Sequence, residues 1–194
     1  MRGRGPRTGP SVTLSPHGVG VADWGMSSAP TADGLELRPA VDADVPLILH
    51  FIRGLAEYER LAHECVATEE RLRDTLFGAR PAAEVQLAFL QGEPAGFALF
   101  FSNYSTFLAQ PGLYLEDLFV EPRFRGRGVG RALLTRLAAL AVERSCGRLE
   151  WSVLDWNVDA IRFYESLGAR GMTEWTVHRL TGDALQALAA KDMR

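Results

Sequence analysis

The sequence predicts a mixed α/β domain: one central sheet with helices on both faces. Three observations carry that expectation. Apolar runs of strand length alternate with stretches whose apolar residues recur at helical spacing, the pattern of layered α/β folds. The runs at Glu84–Leu90 and 95–102 flank Gln91-Gly92-Glu93-Pro94, a short polar connection that signals a hairpin. A third apolar run, 113–120, leads through Arg125-Gly126-Arg127-Gly128-Val129-Gly130 into a long amphipathic stretch. Strand, glycine-rich loop and helix in that order form a common holder of phosphate: backbone N–H groups close on oxygens and a helix N-terminus adds partial positive charge.

The elements follow in order. Residues 1–33 are rich in Gly, Pro, Ser and Ala without periodicity, which predicts a disordered extension ahead of a single domain at 34–194. Leu35–Pro39 reads as a first strand. Asp42 or Asp44 then caps a helix with Pro46 in its first turn, and Leu47, Ile48, Phe51, Ile52, Leu55 and Tyr58 form its apolar face. Thr68 opens a second helix with Leu72 and Leu76 inward. After the hairpin, a loop at 103–112 leads to the strand at 113–120, which Pro122 stops because it has no N–H for a ladder. Val129, Leu133, Leu134, Leu137 and Leu140 mark the next helix, closed by Gly147. A strand at 149–156, a short helix capped by Asn157 and closed by Gly168, a late strand at 173–180 and a C-terminal helix from Thr181 complete the chain.

Composition narrows the function. With 194 residues, 47% hydrophobic and 23% charged, the chain has enough apolar material for one core. A net charge of −3 argues against a general nucleic-acid binder. No apolar run approaches the ~18 residues of a membrane span. Cys65 and Cys146 are too few and too far apart for a disulfide framework or a zinc cluster, and a reducing cytoplasm fits them. His50, His63 and His178 have no ligand spacing, so no metal site is expected.

The glycine loop admits three readings. A dinucleotide fingerprint needs G-x-G-x-x-G, and here the glycines stand at 126, 128 and 130. A mononucleotide loop needs Gly-Lys-Ser/Thr, whereas Gly130 precedes Arg131. An acyl-CoA pyrophosphate loop, R-x-x-G-x-G, is matched by Arg125, Gly128 and Gly130, with Arg123, Arg127 and Arg131 adding positive charge. Just upstream, Glu116 is an acid among Leu113, Tyr114, Leu115 and Leu118. Partial burial there would raise its pKa and suit it as a base. Alternation puts Asp117 on the opposite face in a structural role unless a bulge turns it. Phe163-Tyr164 on a short helix is more often a core pair than a phenol poised to donate a proton.

Several motifs occur in a fixed order. They are Arg38-Pro39-Ala40; Leu55-Ala56 with Tyr58-Glu59; Leu113-Tyr114-Leu115-Glu116-Asp117-Leu118-Phe119-Val120; the Arg125–Gly130 loop; Trp156-Asn157; Phe163-Tyr164; and Gly168-Ala169. Together the chain from residue 35 onward resembles the GNAT superfamily of acetyl-CoA-dependent N-acetyltransferases, and within it the diamine (spermidine/spermine-type and thialysine) acetyltransferases. It departs from them at Arg127 and in lacking Pro after Asn157.

The resemblance implies a mostly antiparallel sheet whose fourth and fifth strands splay to admit the pantetheine arm. It implies acetyl transfer from acetyl-CoA to a primary amine of a small cationic substrate, directly in a ternary complex. Glu116 would be the base, acting through water, and Tyr164 the acid toward the thiolate. CoA would meet Leu118, Phe119, Val120, Arg125, Gly126, Arg127, Gly128, Val129, Gly130, Arg131, Asn157, Ala160 and Tyr164. The amine would meet Tyr58, Glu59, Glu116, Glu150, Trp151, Ser152 and Glu174. A homodimer, no metal, no nucleic acid and no membrane are the further expectations. The alternative is a CoA-binding regulatory module without turnover.

Overall fold

The computed structural model describes residues 34–191. The expected extension at 1–33 lies outside them. Strands β1 (Leu35–Pro39), β2 (Glu84–Leu90), β3 (Glu93–Ser105), β4 (Gln110–Val120) and β5 (Leu149–Trp151) form one sheet in chain order. The first four pair antiparallel and β4 pairs parallel with β5. The predicted fold class is therefore what the chain adopts.

Helices α1 (Val45–Tyr58) and α2 (Glu69–Phe77) fill the connection from β1 to β2. Thr68 caps α2 as expected, its hydroxyl accepting the Arg71 N–H at 3.3 Å. Asp44 precedes α1 but makes no side-chain cap to it. Both its oxygens instead take the Arg38 guanidinium at 2.7 Å, and one also accepts the Val41 N–H. Ile48 and Phe51 of α1 and Leu76 of α2 pack against Val85, Leu87, Phe97 and Phe119 of the sheet. Each such side chain, fully buried, contributes about 1.5–3 kcal/mol. Gly54 lets α1 close on the sheet: a Cβ there would stand 2.8 Å from Cζ of Phe119. The opposite face is covered by α3 (Val129–Glu143), which buries Val129, Leu133, Leu134, Leu137 and Leu140.

Both hairpins are tighter than the sequence suggests. Gln91 and Gly92 turn β2 into β3 with φ of 55° and 80°, the positive pair that suits a two-residue connection. The expected loop at 103–112 shrinks to 106–109, because Asn103 pairs with Gly112 and Tyr104 with Pro111. Helix α3 ends at Glu143, with Ser145 in the left-handed region at φ 56°, before Gly147 is reached.

The described residues divide into two compact units after Trp151. The second holds α4 (Val158–Ser166) and α5 (Gly182–Ala189). Two expectations about strands fail near this division. The strand at 149–156 stops at Trp151, and 173–180 forms no strand, with Trp175 72% and Val177 78% exposed. Alternation fits a residue pattern to a pleat, but a strand also needs a partner's backbone. Among the described residues none pairs with 173–180.

Candidate active site

The first unit assembles most of the candidate residues along β4. Strand β5 pairs with β4 only from Leu113 to Leu115, so beyond Leu115 no described strand lies on that edge. The edge running through Leu118, Phe119 and Val120 is thus open to another extended group. This is the predicted splay of the fourth and fifth strands.

A bulge stands where the pairing ends. Opposite β3, Leu115 faces Phe100 and Asp117 faces Leu99, so Glu116 is an extra residue in the ladder. The insertion reverses the parity of the strand. Leu115 lies on the α3 side with Phe100, whereas Asp117 and Phe119 lie on the α1 side with Leu99 and Phe97. Two expectations change accordingly. Glu116 is exposed rather than partly buried, and the burial falls on Asp117. Burial, then the neighbouring charges of Glu116 and Glu59, push the Asp117 carboxyl up to about 6. Burial also raises Glu59 at the end of α1. Among the described residues, none of these three carboxylates is paired with a cation. Three acids without internal countercharge form a local field suited to an ammonium group.

The other end of β4 is basic. After the 3-10 turn Pro122–Phe124 comes the glycine loop, with Gly126 at φ 73° and Gly128 at φ 84°. A Cβ at either position would meet nothing within 4 Å, so the backbone conformation and not crowding calls for glycine. Gly128 is the N-cap of α3, and Ala132 donates the first intrahelical bond to its carbonyl. The N–H groups of Val129, Gly130 and Arg131 therefore have no acceptor within the helix, which makes this terminus an anion cradle. The guanidinium carbons of Arg127 and Arg123 stand 5.6 Å and 4.5 Å from the centroid of the Phe124 ring. Arg125 lies over Tyr58 at 4.6 Å and donates Nε–H to the Val120 carbonyl at 3.0 Å.

Glu150 and Trp151 lie on β5, opposite Tyr114 and Leu115. The Glu150 carboxylate already accepts Asn103 Nδ2 at 2.9 Å and stands 2.7 Å from Arg148 Nε. Its charge is met from within, unlike that of Glu59, Glu116 or Asp117. In the second unit Asn157 caps α4, its Oδ1 accepting the Ala160 N–H at 3.3 Å. Tyr164 is half-buried beside Phe163, ring centroids 5.4 Å apart. Ser152 and Glu174 are exposed. Among the described residues no group of three His, Cys, Asp or Glu is placed to hold a metal. No described helix is long and apolar enough to cross a membrane.

The model of the acetyltransferase (GNAT) family matches residues 52–169. The chain belongs to the GNAT acetyltransferase family. This GNAT protein is 39% identical to an L-ornithine N5-acetyltransferase of Arabidopsis thaliana over 78% of its own length and 86% of the relative's. It is 38% identical to a thialysine N-epsilon-acetyltransferase of Bos taurus, over 80% and 97%. Among solved structures it resembles an integron cassette protein from the mobile metagenome of V. cholerae, with a TM-score of 0.69 and 26% identity over 80% and 98% of the two chains. It is an N-acetyltransferase, and acetyl-CoA is the co-substrate of its family.

For such an enzyme the residues that sequence reasoning misplaced matter most. Asp117 had no helical or metal spacing to single it out, and the bulge is what turns it to the buried face with Leu99. Arg148 meets the charge of Glu150, and Asn103, 47 positions away from it, adds a hydrogen bond. Gly112 is the local signal for that contact: a Cβ there would stand 2.3 Å from Asn103 Oδ1.

Proposed function

We propose that the protein transfers the acetyl group of acetyl-CoA to a primary amine of a small cationic substrate, an ornithine-, thialysine- or diamine-like molecule, in a ternary complex. The observation that carries the reading is the polarity of β4. Unpaired carboxylates stand at its bulge, an open edge follows, and an anion cradle stands at its end. An extended arm anchored by phosphate at the cradle and laid along the edge would bring its thioester toward the acids.

The chemistry explains why acids are wanted there. An alkylammonium has a pKa near ~10, so only about one molecule in 10³ is nucleophilic at pH 7, and freeing it costs roughly 4 kcal/mol. The exposed Glu116 takes that proton through water as the nitrogen lone pair attacks the acyl carbon. The C–S bond breaks, the Tyr164 hydroxyl protonates the departing sulfur, and the second proton shed by the newly acylated nitrogen restores the phenol. Leu118, Phe119 and Val120, the loop from Arg125 to Arg131, Asn157 and Ala160 hold CoA. Glu59, Trp151, Ser152 and Glu174 complete the amine site, with Glu150 in a supporting place because Arg148 already meets its charge. The identities with the ornithine and thialysine enzymes support an amine that carries a second charge. We place the enzyme in the cytoplasm as a homodimer, which light scattering tests.

The deciding experiment is a thiol-release assay with acetyl-CoA and a panel of ornithine, thialysine, lysine, diaminobutane and spermidine. Turnover on at least one is expected, and Tyr164→Phe lowers kcat by ~10²-fold. Saturable CoA binding without turnover on any amine would favour the regulatory-module reading instead.

A further inference from the structure

We propose that Tyr58 is a positioning residue for the phosphate loop, its ring holding Arg125 as a preformed anion donor. This rests on the reading of that loop as the acetyl-CoA site and changes what Tyr58 is for, since the family resemblance makes it an amine contact.

The argument starts from the arginine. A free Arg side chain holds about 2 kcal/mol of rotamer entropy that a ligand must overcome. Here the side chain is fixed before any ligand arrives. Its Nε–H is donated to the Val120 carbonyl at 3.0 Å, and its guanidinium carbon stands 4.6 Å from the centroid of Tyr58 and 5.9 Å from that of Phe119. Phe119 is itself immobilised, 4% exposed and pressed under Gly54. The final turn of α1, the end of β4 and the start of the loop are thus joined through one cation.

The form of the contact leaves the donors free. A guanidinium over a ring face meets the π-cloud and no hydrogen-bond acceptor, and with Nε–H on the Val120 carbonyl the terminal N–H groups are the ones left for a ligand. Arg38, Arg123 and Arg144 each meet a carboxylate, at Asp44, Glu93 and Glu84. Among the described residues Arg125 meets none. Its charge is held in place and left uncompensated one residue before Gly126, where a bidentate partner such as a phosphate would complete it. Lysine could not substitute, because an ammonium offers neither the flat face nor the fork.

The test is calorimetric titration of CoA into the full chain, wild type beside Tyr58→Phe, Tyr58→Leu, Tyr58→Met and Arg125→Lys. Phe keeps the ring and binds within about twofold of wild type, whereas Leu and Met weaken CoA about five- to tenfold. Met keeps good helix propensity, so the comparison survives if the Leu variant folds poorly. In the Arg125→Lys background the Leu change adds little, because both remove one contact. Steady-state kinetics give the matching split: KM for acetyl-CoA rises and KM for the amine holds. Wild-type CoA affinity in Tyr58→Leu and Tyr58→Met, or a rise confined to the amine KM, overturns the proposal. Absence of CoA binding by the wild type overturns the acetyl-CoA reading itself, so the two failures are told apart by the first titration.

Discussion

The two ends of the segment 116–131 carry opposite charge and handle it in opposite ways. At the bulge, acid is concentrated and partly buried. Asp117 is pushed up to about 6 by burial and by Glu116 and Glu59, and no cation answers it among the described residues. At the loop, Arg123, Arg125 and Arg127 rest on the faces of Phe124 and Tyr58. The first end stores unfavourable electrostatics inside the fold. The second orients favourable donors that cost the fold little. Both are incomplete without a ligand, one wanting a cation and the other an anion. On the proposed reading the two ends serve two different substrates, and the division predicts that substitutions at each end separate in their kinetic effects.

The largest effect expected is at the acidic end. Glu116→Gln keeps shape and exposure and removes the proposed base, so kcat falls by ~10²–10⁴-fold. The loss shrinks as pH rises toward the amine's own pKa near ~10, where the substrate arrives already deprotonated. KM for acetyl-CoA stays within about twofold of wild type. Initial rates over pH 6–10 measure both. A Gln variant that loses acetyl-CoA affinity would break the division between the ends.

Much of this layout is legible in the sequence, and the exceptions share a cause. Strand β1, helices α1 and α2 and the glycine loop follow from periodicity, caps and punctuation at Pro39, Thr68, Pro122 and Gly128. The bulge does not. Leu113, Leu115 and Phe119 are all buried at odd positions as a regular strand would have them. Because helices cover both sides of the sheet, an apolar residue is buried whichever way it points, and the reversal at Glu116 leaves no trace in the hydrophobic pattern. The internal neutralisation of Glu150 is equally hidden, since Asn103 and Arg148 reach it only once β3, β4 and β5 are in register. The missing strand at 173–180 has the alternation of a strand but no pairing partner, and alternation alone carries no information about partners.

The next effect concerns the stored electrostatics directly. Asp117 has a folded value of about 6 against an ordinary 3.8. Between those values the folded chain binds more protons than the unfolded one, so stability falls as pH rises through that window. Below about pH 3.8 the group contributes no difference, and above about pH 6 the full penalty applies, at most about 3 kcal/mol. Asp117→Asn removes the titration. Urea unfolding at pH 7.5 should show the variant more stable by up to about 3 kcal/mol, with a smaller gap at pH 4.5. A variant equally or less stable at pH 7.5 would mean that an unseen partner compensates the acid, and the contrast with the loop would weaken.

The smallest effect tests the loop. Gly128 stands at φ 84° with open space where a Cβ would be, so alanine there meets no clash and bears only the left-handed conformation, about 1–2 kcal/mol. If the folded loop keeps its shape, that cost appears as lost stability and CoA still binds. If the loop relaxes, the N–H groups of Val129 to Arg131 turn away and acetyl-CoA affinity falls by about tenfold. We expect the second outcome, because the loop is exposed and its cradle has no internal ligand to hold it. Gly128→Asn should fall between wild type and alanine, since asparagine tolerates the left-handed region. In both variants kcat at saturating acetyl-CoA stays near wild type, because the acids at the bulge are untouched. A fall in kcat at saturation would show that the cradle also sets the position of the thioester, so that the two ends of β4 act on the same step.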